Sequence, residues 1–101
     1  MNSFNLIFIK NGILKISGNI TFENIVEILN LCFEKTKNIK QIKIDFKDLS
    51  NSNSSSTLIF IINYIRNVKQ QNKTIVFMNI PLFLIKLTKI YNLNSIIPIC
   101  N

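Results

Sequence analysis

The spacing of apolar residues changes period in the middle of this chain. Ile42, Ile44 and Phe46 alternate with Lys43, Asp45 and Lys47, the two-residue repeat of a strand with one buried face. From Leu58 to Val68 the chain reads as an apolar helix. Between them lies a loop of hydroxyl and amide side chains that ends in the six consecutive residues Ser52 to Thr57. A strand that delivers small polar groups to the start of a helix builds a defined site. The first backbone N–H groups of the helix lack partners, and the dipole there favours negative charge. Serine, asparagine and threonine at such a point cap the helix or accept a modification.

The flanking segments supply the rest of a small α/β domain. Phe4 to Lys10 and Ile13 to Ser17 are β-rich runs joined at Asn11-Gly12. Asn-Gly suits a two-residue type I′ turn, whose central residues both need positive φ. Phe22, Ile25, Val26, Leu29, Cys32 and Phe33 then recur at helical spacing, with Thr21 as the expected N-cap. Thr74 to Asn79 is a fourth strand, and Pro81 introduces a third helix that ends at Asn92. The tail from Leu93 to Asn101 is expected to pack back on the sheet. The order β-β-α-β-α-β-α predicts a four-stranded mixed sheet with helices mainly on one face, in a single domain over residues 1–101.

Composition narrows the function. No apolar run approaches the ~20 residues needed to cross a bilayer. Cys32 and Cys100 show no metal spacing, and Cys32 falls on the apolar face of the first helix. With no signal peptide apparent, these features point to a reduced, cytoplasmic setting. The net charge is +7, but eleven of the twelve basic residues are lysines spread from Lys10 to Lys89. Ile, Asn and Lys make up nearly half the chain, as codon drift in an AT-rich genome would produce. The charge therefore reads as compositional bias, not as a specific nucleic-acid footprint.

The chain has no histidine, which removes Ser-His, Cys-His and His-metal chemistry. Its two glycines, Gly12 and Gly18, make no phosphate-cradling loop. Alternation puts Asp45 on the more exposed face of its strand, so Asp45 and Asp48 read as solvated or loop-capping carboxylates. A non-catalytic protein with no cofactor and no metal is expected. The surface expected to bind a partner is the start of the second helix (Asn53, Ser54, Ser55, Thr57) with its outer face (Phe60, Asn63, Tyr64). Wheel geometry gives the buried side to Leu58, Ile61, Ile62, Ile65 and Val68, which turns Phe60 outward between Ile59 and Tyr64.

This pattern resembles the STAS domain family, whose strand reads apolar-Asp-apolar and whose following helix opens with Asp-Ser/Thr-Ser/Ala-Gly-Leu. Ile44-Asp45-Phe46 matches the strand, and Asn53-Ser54-Ser55-Ser56-Thr57 lies at the second motif, with Asn53 for the family's Asp and Ser56 for its Gly. The segment Lys89-Ile90-Tyr91-Asn92-Leu93-Asn94 is similar to one in the MlaB-like branch, the STAS subunit of the Mla phospholipid transport system. That resemblance implies an accessory subunit that binds the cytoplasmic ATPase of an ABC transporter and supports its assembly and activity. It would sit at the inner face of the inner membrane through its partner, without inserting. The alternative within the family is an anti-sigma-factor antagonist, a phosphoswitch with Ser54 as phosphoacceptor.

Overall fold

A computed structural model of the chain describes residues 7–50, 54–90 and 99–100. Strands β1 (Ile7–Lys10) and β2 (Ile13–Ile16) form the hairpin, closed by Asn11 (φ 55°) and Gly12 (φ 77°). Helix α1 (Ile25–Lys35), strand β3 (Gln41–Asp45), helix α2 (Ser54–Gln70), strand β4 (Thr74–Met78) and helix α3 (Leu82–Ile90) follow. Ile99–Cys100 adds a short strand, β5, from the tail expected to return to the sheet. The Tyr91–Asn92 end foreseen for α3 lies outside the described residues.

The sheet runs β1-β2-β3-β4-β5, antiparallel at the hairpin and parallel elsewhere. Each parallel crossover steps to the next strand in the same direction. Right-handed connections therefore place α1, α2 and α3 on one face. Leu14, Ile44 and Phe77 form one row across that face, and Ile42 and Ile75 another, all buried. The opposite face carries exposed Gln41, Lys43 and Thr74.

The helices are rotated from their expected phases. In α2 the buried positions are Ser56, Thr57, Phe60, Ile61, Tyr64, Ile65 and Val68. Phe60 and Tyr64, expected to face a partner, are wholly buried, whereas Leu58 and Ile62 are half-buried and Ile59 is 40 % exposed. Apolar residues occupy almost every side of this helix, so hydropathy alone does not set its rotation. Ring size does: an aromatic buries about 150–250 Å². Phe60 meets Phe46 edge-on at 6.1 Å, Phe46 stacks on Phe77 at 5.7 Å, and Tyr64 lies 4.8 Å from Phe33. In α1 the buried stripe is Ile25, Ile28 and Cys32. Phe22 and Val26, expected on that stripe, are 62 % and 66 % exposed. Residues 22–24 form a turn ahead of the helix, held where Thr21 N–H donates to Asn24 Oδ1 (2.7 Å) and Asn24 N–H donates to Thr21 Oγ1 (3.2 Å). Phe22 is thus out of helical phase, and Val26 lies about 100° around from Ile25.

A buried polar knot joins the two helices. The Tyr64 hydroxyl donates to the Cys32 carbonyl (3.0 Å) and meets Thr36 Oγ1 at 2.5 Å, while Thr36 Oγ1 also donates to the Cys32 carbonyl (2.8 Å). Lys73 Nζ closes the end of α1 from across the domain by donating to the carbonyls of Thr36 and Lys37. At the end of α2, Asn72 (φ 55°) takes the left-handed conformation. Lys73 N–H donates back to the Val68 carbonyl and Asn72 N–H to that of Lys69, the two bonds of a Schellman motif.

Two outcomes follow from the knot. Tyr64→Phe keeps the ring packing but removes the hydroxyl, and should lower unfolding free energy by about 1–2 kcal/mol in urea titration. Burial pushes the Cys32 thiol up from 9.0 to about 12, against a smaller opposing pull from Lys35, and burial likewise raises the Tyr64 phenol. The folded state then holds these protons to higher pH than the unfolded chain, so stability present below pH 9 is lost as pH climbs toward 12. The urea midpoint should fall through that range, each group adding at most about 1.4 kcal/mol per pH unit, and the fall should be shallower in Cys32→Ala.

Candidate functional site

The parallel strands end together at one edge of the sheet, and α1, α2 and α3 all begin there. Asp45, the last residue of β3, lies at the centre of this edge. It is 6 % exposed, where strand alternation had put it on the open side. Hydrogen bonding accounts for the difference. Asp45 Oδ1 accepts from the Lys47 N–H (2.9 Å), folding the chain back over the carboxylate as it leaves the strand. The same oxygen accepts from Asn79 Nδ2 (2.8 Å), just past the end of β4. Lys15 Nζ, on β2, stands 4.0 Å from Asp45 Oδ2. One carboxylate thus ties together the ends of three adjacent strands. Asn79 has φ 56°, a conformation asparagine tolerates, and this turns the chain after β4.

The loop after β3 is fastened to the loop after β2. Gly18 N–H donates to the Asp48 carbonyl (3.3 Å), and Ser50 N–H donates to the Gly18 carbonyl (2.7 Å). Gly18 has φ 81°, which a side chain would strain. Leu49 is buried beside it. The chain therefore leaves Ser50 from a held position before α2 begins at Ser54.

The residues expected to bind a partner fall into three groups. Ser54 opens α2, and Ser55 is exposed. The Ser54 side chain, like all of Asn53, lies outside the described residues. Thr57, Phe60 and Tyr64 are buried, Phe60 against Phe46 and Tyr64 against Phe33 and the end of α1. Asn63 is half-buried, and its amide donates to the Ile59 carbonyl one turn back (2.8 Å). Ile59 lies one turn after Ser55 on the same side, so the outer face of the first three turns is Ser55, Ile59 and Asn63, flanked by half-buried Leu58 and Ile62. Ser56, at the family's glycine position, is buried. Sequence reasoning missed the parts played by Asn79 and Lys15. The one available signal was an asparagine directly after a strand.

Among the described residues no group of three or more acidic or sulfur side chains is placed to hold a metal ion, and no helix is long and apolar enough to cross a membrane. A family model described as the STAS domain matches residues 7–101. Among solved structures, the chain is similar to the unphosphorylated form of the anti-sigma factor antagonist SpoIIAA (13 % identity, TM-score 0.67, covering 97 % of this chain and 89 % of that one). It is also similar to the phosphorylated form of SpoIIAA, a Bacillus cell fate determinant (13 % identity, TM-score 0.65, covering 97 % and 92 %). No curated protein is similar enough in sequence to count as a relative.

Asp45→Ala leaves the Asn79 amide and the Lys47 N–H without their acceptor. It should cost about 1–3 kcal/mol of unfolding free energy, with Asp45→Asn, which keeps an acceptor oxygen, costing less in the same urea titration.

Proposed function

The chain belongs to the STAS domain family, and from that premise we propose that it is a non-catalytic regulator whose partner grips the exposed start of α2. The observation that carries this reading is the outward set Ser55, Ile59 and Asn63 beside the helix start at Ser54. An exposed aliphatic ringed by compact hydrogen-bonding groups is the composition of a small docking patch. The favoured form is a phosphoswitch of the anti-sigma-factor-antagonist kind, with Ser54 as acceptor. Its support is the likeness to SpoIIAA, a protein solved in both phosphorylated and unphosphorylated forms. Phosphate at Ser54 would bring about −1.5 to −2 charges to a helix N-terminus. The first turn of α2 holds no acidic residue to repel it, and the helix dipole favours it. The helix survives the modification, while a partner seated on Ser55 and Ile59 meets a new charge at its interface and leaves.

The second reading, an accessory subunit on the ATPase of an Mla-type transporter, uses the same patch and is favoured by the segment from Lys89 to Asn94. It does not require Ser54 to be modified. Asn53, which keeps the shape of the family's aspartate without its charge, can still cap the helix in either case.

Incubation with a cognate kinase should add one phosphate by intact mass, lost in Ser54→Ala and retained in Ser55→Ala; an unmodified mass removes the switch. Ile59→Asp, at an exposed position that tolerates charge, should weaken co-purification of the partner at least tenfold under either reading. If it leaves the complex intact, the docking patch lies elsewhere.

A further inference from the structure

The lysines that are spread along the sequence are gathered by the fold. Where β2, β3 and β4 begin, all three helices end, and this edge lies opposite Asp45. Lys10 closes β1 at the hairpin, Lys40 precedes β3 and Lys73 precedes β4. Lys35 and Lys37 stand at the end of α1, Lys69 at the end of α2 and Lys89 at the end of α3. All but Lys73 are exposed, and exposed Arg66 and Lys86 lie one turn further in. Glu34 is the single acid among the described residues at this rim. The other four acids, Glu23, Glu27, Asp45 and Asp48, belong to the opposite edge.

Lysines at helix ends ordinarily complement the helix dipole, and that effect accounts for a minority of these. Each helix C-terminus carries about half a negative charge, so three supply about one and a half. The rim therefore keeps a large positive excess, in a molecule whose other end is net acidic.

We propose that this lysine rim docks the protein on an anionic lipid surface. Three features favour lipid over other polyanions. The charges are nearly all lysine, which acts as a point charge and does not grip phosphate or base edges in the bidentate way of arginine. Among the described residues the exposed large apolar side chains at this end are aliphatic: Ile90, 74 % exposed at the end of α3 beside Lys86 and Lys89, and Leu31, 46 % exposed on α1. An aliphatic among lysines suits the boundary of headgroups and acyl chains, whereas single-stranded nucleic acid is held on exposed aromatics. Protein interfaces, in turn, are depleted in lysine. The rim stands at the far end of α2 from Ser54, so membrane contact leaves the proposed docking patch open, and the inference does not depend on that patch.

The test is co-sedimentation of the whole chain with vesicles of phosphatidylcholine alone or mixed with phosphatidylglycerol. Binding is expected only with the anionic lipid, weakening as salt rises. Each rim lysine removed should lower the partition coefficient about fivefold, so Lys37→Gln with Lys89→Gln should lose about 30-fold. Lys15→Gln with Lys47→Gln changes net charge equally at the opposite edge and should lose no more than about threefold. Ile90→Ser should weaken binding at unchanged charge. Equal losses from the two lysine pairs, no binding to anionic vesicles at low salt, or binding to duplex DNA at salt where vesicles have released the protein would each overturn the proposal. Circular dichroism of the variants separates loss of binding from loss of fold.

Discussion

The stack of rings that begins with Phe77 on β4, passes through Phe46 just after β3 and continues to Phe60 and Tyr64 on α2 is the contact on which the exposed surface depends. It fixes how far α2 is turned about its own axis. Once Phe60 is packed on Phe46 and Tyr64 on the end of α1, Ser55, Ile59 and Asn63 have to point away. A rotation by one residue, about 100°, would bury Ile59 and expose the Tyr64 hydroxyl that holds α1 to α2. The core therefore selects which side chains a partner can meet. The polar knot at Cys32, Thr36 and Tyr64 reinforces the choice, because turning Tyr64 away would break its contacts with the Cys32 carbonyl and the Thr36 hydroxyl and leave only the bonds within α1 and its end.

Local chemistry was legible in the sequence where it is decided by one or two residues. Asn11-Gly12 specifies a hairpin because both positions need positive φ, and both have it. The switch from two-residue to helical spacing located β3 and α2, and Pro81 marks the approach to α3. What could not be read is the phase of the helices. A helix with apolar residues on most sides is placed by ring volume and by partners distant in sequence, and neither shows in periodicity. Phe60 and Tyr64 were misplaced for that reason. Phe22 and Val26 were misplaced because a turn held by Thr21 and Asn24 delays the start of α1.

Asp45 shows the same limit in a polar residue. Alternation gives the direction of a side chain relative to the sheet, but exposure depends on what comes to meet it. Here the chain folds over the carboxylate through Lys47, and Asn79 arrives from the neighbouring strand. Its role is to fix the geometry of the edge from which the loop to α2 departs, and that edge holds the helix start where the family motif lies. The carboxylate acts as a structural brace within hydrogen-bonding distance of backbone and amide, and this is a use of the apolar-Asp-apolar strand that requires no catalysis.

The charge distribution follows from the topology more than from the order of residues. The parallel strands β2, β3 and β4, joined by helices on one face, send their starts and every helix end to one edge, so lysines that are far apart in the chain become neighbours. Four of the five acids, which stand about the start of α1 and the end of β3, are sent to the other edge by the same rule. Helix α2, with seventeen residues, separates the two edges by about 25 Å, about three Debye lengths at physiological salt. Charge added at one edge is screened from the other. A phosphate on Ser54 would therefore be felt by whatever sits on Ile59 and not by a surface held at Lys37 and Lys89. A domain of this size can in this way change one contact without releasing the other, a property that follows from helix length and ionic strength alone.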